Sequence, residues 1–196
     1  MAKTDPVSAK KERIKAAKWV ITIFFVTIFI SGSISLLSDI LMENSTMAVA
    51  FLILLVIILV GIIFDIIGMA VATADEKPFH SMAARKVPGA QESIRLLRNA
   101  ERVSSICNDV IGDICGVVSG SASATIAAQI LQNFEFSWPR IVSLIMSALV
   151  AGLTVGGKAI GKTFAINSCT QIISVVGKVI YTFRNFRGIF QKKEKK

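Results

Sequence analysis

Histidine is almost absent from this 196-residue chain, and cysteine is sparse: His80 stands alone, and Cys107, Cys115 and Cys169 form no C-x-x-C pair. One imidazole is too few for a histidine-built zinc site or a Ser/His/Asp triad, and no nucleophile is paired with a base, so the sequence reads as that of a non-enzyme. His80 lies among polar neighbours and reads as solvated, and the cysteines as reduced packing residues. Charge is scarce as well, at 18% of residues against 53% hydrophobic, with a mean hydropathy of +0.65. That is too apolar for an ordinary soluble domain and enough chain for one small helical bundle. The charge that remains is unbalanced, +9 overall, but it lies beside apolar runs rather than on a folded basic face. Its expected partner is therefore the anionic headgroups of a bilayer and not nucleic acid.

Apolar runs and charge together predict an all-α integral membrane protein with about four transmembrane helices, a helical loop on the cytoplasmic surface and a C-terminal amphipathic helix. Residues 1–18 form a basic cytoplasmic segment, 19–167 the membrane domain, and 168–196 an amphipathic helix with a basic tail. The first run, Trp19 to Leu37, is long enough to span and lacks a small-residue cleavage site, so it reads as a retained helix ending near Ile40. The connection Ser38 to Thr46 has no Lys or Arg, as expected outside. A second helix follows from Met47 to about Thr73, a third from about Val103 to Leu131, and a fourth from about Trp138 to a break or kink at Gly156-Gly157. Pro88-Gly89 predicts a break between two short surface helices, the second carrying Ile94, Leu96 and Leu97. Phe134, Phe136 and Trp138 form an aromatic belt at the outer interface. Beyond Ser168, Ile172, Val176, Val179, Ile180, Phe183, Phe186 and Phe190 recur at helical spacing, an interfacial pattern. The basic clusters place both termini in the cytoplasm, in the inner or plasma membrane.

The polar residues expected at membrane depth gather around one loop, between Phe64 and Asp113. Asp109 and Asp113, four apart, should share a face towards the bundle interior or a water-filled cavity, since each costs roughly 2.5–3.5 kcal/mol against lipid. Asp65, Asn108, Asp109 and Asp113 supply the oxygen ligands a hard divalent cation such as Mg2+ needs, with Lys158 as gate or counter-charge. The competing reading is a non-transporting scaffold or partner-binding subunit in which the aspartates pair with Lys158. Gly112, Gly116, Gly120, Ala124 and Ala128 recur every four residues, a ridge that suits close helix packing and a homodimer. Gly156 to Thr163 spells the phosphate-binding pattern G-x-x-x-x-G-K-T, but a membrane helix precedes it and no α/β domain surrounds it, so no ATP or other organic cofactor is expected.

Three places resemble the transmembrane domain of the CNNM/CorC/CorB family of divalent-cation transport proteins. Phe64-Asp65-Ile66-Ile67-Gly68-Met69-Ala70-Val71 is similar to the family's F-S-G-x-E-x-A-L. Val87-Pro88-Gly89-Ala90, then Arg95-Leu96-Leu97 and Glu101-Arg102, resembles its N-P-G-A, R-L-L and E-R series, leading to Cys107-Asn108-Asp109 at its G-N-T. Gly157-Lys158-Ala159-Ile160-Gly161-Lys162-Thr163 resembles G-E-I-I-P-K-T. The resemblance covers residues 47–167 and implies a dimeric three-helix domain around a cytoplasm-facing cation site, with helix one as an addition. Lys158 stands where the family has an acid, and Asp65 and Asp109 where it has hydroxyl residues.

Overall fold

Helix-forming residues surround the first apolar run on its N-terminal side, so the basic segment and the run fold as one helix. The computed structural model describes residues 6–43, 45–133 and 138–193, with side-chain surroundings for 17–42, 45–133 and 138–185. In it α1 spans Pro6–Glu43, beginning at a proline whose missing N–H costs nothing in a first turn. The expected connection from Ser38 to Thr46 is shorter than its polar letters imply, because α1 persists to Glu43. Met42 is fully buried, and its carbonyl, at the helix end, accepts a 3.2 Å bond from Gln129 Nε2, which holds that last turn in place.

The remaining helices are α2 (Met47–Thr73), α3 (Lys77–Ala84), α4 (Ala90–Arg98), α5 (Ala100–Asn133), α6 (Pro139–Asn167) and α7 (Cys169–Lys193). No strand occurs among the described residues. Four stretches, Ala17–Met42, Met47–Thr73, Ala100–Asn133 and Pro139–Asn167, are long and apolar enough to cross a membrane, so this is an all-α membrane protein. The expected aromatics Phe134 and Phe136 lie outside the described residues; Trp138 is exposed.

The bundle is built around α2. At one end Ala50, Leu54 and Ile58 meet Ala122 and Ile126 of α5 and Val150 of α6. At the other, Ala70 and Val71 join Phe79, Leu97, Ala165 and Ile173, drawing α3, α4, α6 and α7 together. Phe79, fully buried, anchors the short surface helices, a burial worth about 2–3 kcal/mol away from water. The added helix α1 packs through Ile23, Ile30 and Ile34 on Val110, Ile114 and Val118 of α5.

The break at Pro88-Gly89 is present, with Lys86 and Gly89 at φ 55° and 87°. Gly89 is required twice over, by that positive φ and because a Cβ there would lie 2.5 Å from Lys178 N. Its neighbour across the contact is Gly177, so α7 seats directly on the α4 N-terminus. Ser93 Oγ, buried, bonds Ile173 O at 3.1 Å, and Arg184 meets Glu92 at 3.4 Å. The protein-facing line of α7 is thus Ile173 and Gly177, beside the expected apolar stripe. Val179, Ile180 and Phe183 of that stripe stay exposed, and the side chains of Phe186 and Phe190 lie outside the described ones.

The expected break at Gly156-Gly157 does not occur: α6 continues unbroken to Asn167. Gly157 serves close packing instead, together with Gly161, whereas Gly156 faces open space. A Cβ on Gly157 would strike Ile62 at 2.3 Å and one on Gly161 would strike Ile66 at 2.8 Å, so two α2 isoleucines one turn apart lie over two α6 glycines one turn apart. The phosphate-loop letters therefore stand inside a helix, where backbone amides are spent on helical hydrogen bonds.

Candidate functional site: a lysine among intramembrane carboxylates

A stripe of α2 carries Gly61, Asp65 and Gly68, all buried and all turned to α5. The glycines let α5 close over the aspartate. A Cβ on Gly61 would meet Cys115 Cβ at 2.8 Å, and one on Gly68 would collide with Asn108 Oδ1. Asp65 is 5% exposed, held between two close helix contacts in a span otherwise composed almost wholly of aliphatic residues.

The facing part of α5 is not α-helical. Ala100–Ser105 and Asp113–Asn133 are α-helix, but Ile106–Gly112 between them is π-helix. A π turn holds more residues than an α turn and resets which side chains face a neighbour. Here Cys107, Val110 and Gly112 are buried and Asn108 is partly buried, whereas Asp109 and Asp113 are both exposed. The two acids do not jointly face the bundle interior, as four-residue spacing in a regular α-helix predicts. Asp109 accepts a 2.8 Å bond from Ser105 Oγ within its own helix. Asp113 turns to α6, its side chain 72% exposed.

Lys158 joins what remains. Its ammonium donates to Gly112 O at 3.2 Å and lies 3.6 Å from Asp113 Oδ1 and 3.9 Å from Asp65 Oδ1. It is the counter-charge expected for Asp65 and Asp113, and does not extend to the surface as its neighbour Lys162 can. Of the four candidate ligands, then, Asp65 and Asp113 share Lys158, Asn108 packs against Gly68, about one turn along α2 from Asp65, and Asp109 bonds Ser105 instead. Among the described residues no group of three or more His, Cys, Asp or Glu side chains is gathered as a metal site. His80 is exposed, its Nε2 3.3 Å from Glu76 Oε2 within the same turn.

The cluster is neither neutral nor satisfied. Two carboxylates against one ammonium leave a formal negative charge, and Asp65 Oδ2 and Asn108 Oδ1 are buried with no hydrogen-bond partner among the described residues. Asn108 spends its amide protons towards Ser104 Oγ at 3.3 Å, so its free oxygen can only accept. Sequence reading placed Gly112 on a packing ridge and missed its carbonyl, which accepts from Lys158 at 3.2 Å. It named Gly68 beside Asp65 but missed Gly61, whose spacing before Asp65 was the available signal. Fold and site together define a polytopic helical membrane protein with a lysine-bridged pair of carboxylates between α2, α5 and α6. No family model, curated protein or solved structure matches the chain.

Proposed function

We propose that the chain binds a divalent cation for passage across the membrane, Mg2+ being the ion its donors suit, in competition with its own Lys158. The observation that carries this reading is the pair of buried, unpartnered acceptors, Asp65 Oδ2 and Asn108 Oδ1, beside an ammonium that only partly balances two carboxylates. A buried network kept for structure alone is expected to be charge-balanced and fully hydrogen-bonded, because each orphan acceptor costs about 1–3 kcal/mol. Mg2+ keeps several waters and needs only one or two carboxylates, so Asp65 and Asp113, with Asn108 Oδ1 and Gly112 O, form a sufficient donor set without Asp109. Two carboxylates and one Mg2+ are neutral together. Lys158 would then withdraw, its four-carbon stem allowing the ammonium to reach the bilayer surface.

The resemblance to the CNNM/CorC/CorB transmembrane domain points the same way. On this reading the basic clusters lie in the cytoplasm at the α3–α4 end, the membrane is the inner or plasma membrane, the small-residue ridge of α5 serves a homodimer, and the chain has no enzymatic activity. The second reading is a non-transporting scaffold or partner-binding subunit, favoured by the fact that Lys158 already contacts three oxygens.

Melting of the purified full chain against Mg2+, Mn2+ and Na+ separates the two readings. Binding at a hundred times Kd stabilises by about 2.7 kcal/mol, so Mg2+ should raise the melting temperature of the wild type, raise that of Lys158→Met at lower concentration, and leave Asp65→Asn unmoved. Absence of a cation-specific rise in both the wild type and Lys158→Met sinks the proposal in favour of the scaffold.

A further inference from the structure

A groove of about 370 Å3 opens where α2, α6 and α7 meet, and no charged side chain lines it. Its walls are Ile63 and Ile67 of α2, Phe164 of α6, and Ile172, Val175 and Val176 of α7. Ile63, Phe164 and Val175 are each more than half exposed, so among the described residues the chain leaves the groove open. Counted from the end of α2 at Thr73, Ile67 and Ile63 lie about 9 and 15 Å in, at about 1.5 Å per residue, within the roughly 15 Å acyl depth of one leaflet. The hydrogen-bonding side chains of the lining are Ser168, at the α6–α7 junction, and Gln171, at the start of α7.

Positive charge borders the groove on one side. Gln171, Val175 and Lys178 follow one another at helical spacing and form a single stripe of α7, with Val175 at the groove between the two polar residues. Lys178 is exposed, and its backbone N faces Gly89, so that Lys86, also exposed and three residues before that glycine, belongs to the same seam. Neither lysine is in an ion pair among the described residues, whereas Glu92 on that seam is engaged by Arg184 at 3.4 Å. Three cations therefore face one carboxylate. Apolar walls at this depth suit an acyl chain, and unbalanced lysines beside them suit a phosphate. We propose that the groove seats one anionic phospholipid from the leaflet at the α3–α4 end. One chain lies against Ile67, Ile63 and Phe164, the glycerol esters accept from Gln171 and Ser168, and the phosphate sits between Gln171 and Lys178. Lipid tails elsewhere are as apolar as these walls, so the chain sets the place and the lysine sets the preference for an anion. Bound there, the lipid joins α7 to α2 and α6, and its binding goes beyond the cation reading without depending on it.

Native mass spectrometry and melting of the purified, delipidated full chain test it, with phosphatidylglycerol and phosphatidylcholine of identical chains as probes. Wild type should retain one phosphatidylglycerol per chain, and should be stabilised by it at about fivefold lower concentration than by phosphatidylcholine, the fold-change for the roughly 1 kcal/mol that one lysine contributes beside anionic headgroups. Lys178→Gln should remove that preference and leave α7 seated, because the contact with Gly89 is made by the backbone. Val175→Trp, at an exposed site, should fill the groove and abolish retention without lowering the melting temperature of the lipid-free chain. Glycerol phosphate, the headgroup without its chains, should not stabilise. Equal response of wild type to the two lipids, or unchanged retention in Val175→Trp, overturns the proposal and leaves ordinary annular lipid. A doubled mass that Val175→Trp abolishes overturns it in favour of a second copy in the groove, and stabilisation by glycerol phosphate overturns it in favour of a surface phosphate site. If Val175→Trp melts low by itself, the two-lipid comparison and Lys178→Gln still decide.

Discussion

Lys158→Met is the most informative single change, because it separates the ammonium's two roles as structural counter-charge and as competitor for the cation. Removing it takes away the ammonium 3.9 Å from Asp65 Oδ1 while the carboxylate stays 5% exposed, so that among the described residues neither of its oxygens keeps a cationic partner. Breaking a buried pair from one side costs about 3–5 kcal/mol. Lys158 keeps 20% of its side chain accessible, so the lower end, about 3 kcal/mol, is expected. At about 2–4 °C per kcal/mol for a chain of this length, the variant should melt roughly 6–12 °C below wild type without divalent cation. Adding Asp65→Asn removes the stranded charge and should recover at least half the loss, so the coupling in the double-mutant cycle is about 1.5 kcal/mol plus whatever Asp65→Asn costs by itself. The buried thiols of Cys107 and Cys115 supply the assay, since a dye that fluoresces on reacting with thiols reports their exposure as the bundle opens. In the same experiment Mg2+ should stabilise Lys158→Met at a concentration at least fivefold below that needed for wild type. A variant melting within 2 °C of wild type, with no recovery in the double mutant, refutes the account of Lys158 as partner of Asp65.

Asp109→Asn should leave both the melting temperature and its response to Mg2+ within error of wild type, since Asp109 is exposed and accepts a bond from Ser105 of its own helix. Gly61→Ala should cost about 1–3 kcal/mol by overpacking against Cys115 Cβ. Because the clash is with Cβ and not the sulfur, Cys115→Ala should not relieve it while Cys115→Gly should, as melting of the pairs would show. Gly89→Ala combines a positive φ with contact to the α7 backbone and should release α7, read as faster proteolysis after Cys169; Glu92→Gln, opposite the 61% exposed Arg184, should cost less than about 1 kcal/mol and leave α7 in place.

Residues whose effect is local were legible without the fold. The apolar runs set four crossing helices, since lipid accepts only segments that satisfy their own backbone. Pro88-Gly89 broke the surface hairpin where its backbone restrictions require. Asp65 and Lys158 were recognisable as partners, because isolated charge at membrane depth demands compensation. Helix ends were less legible: Met42 stays helical because Gln129, far along the chain, bonds its carbonyl.

What the sequence determined by itself, then, is the membrane class, the helices and the residues that carry charge into the bundle, all fixed by composition within a turn or two. Only the tertiary structure decided how those charges divide. The π segment at Ile106–Gly112 turned Asp109 away, offered the Gly112 carbonyl and left Asn108 Oδ1 unpartnered against Gly68. Likewise Gly156-Gly157 read locally as a break, yet remained helical because Ile62 fills the space over Gly157. Spacing along one helix fixes faces only while the helix is regular, and close approach depends on the opposing helix. Neither condition is written in any single stretch of the chain.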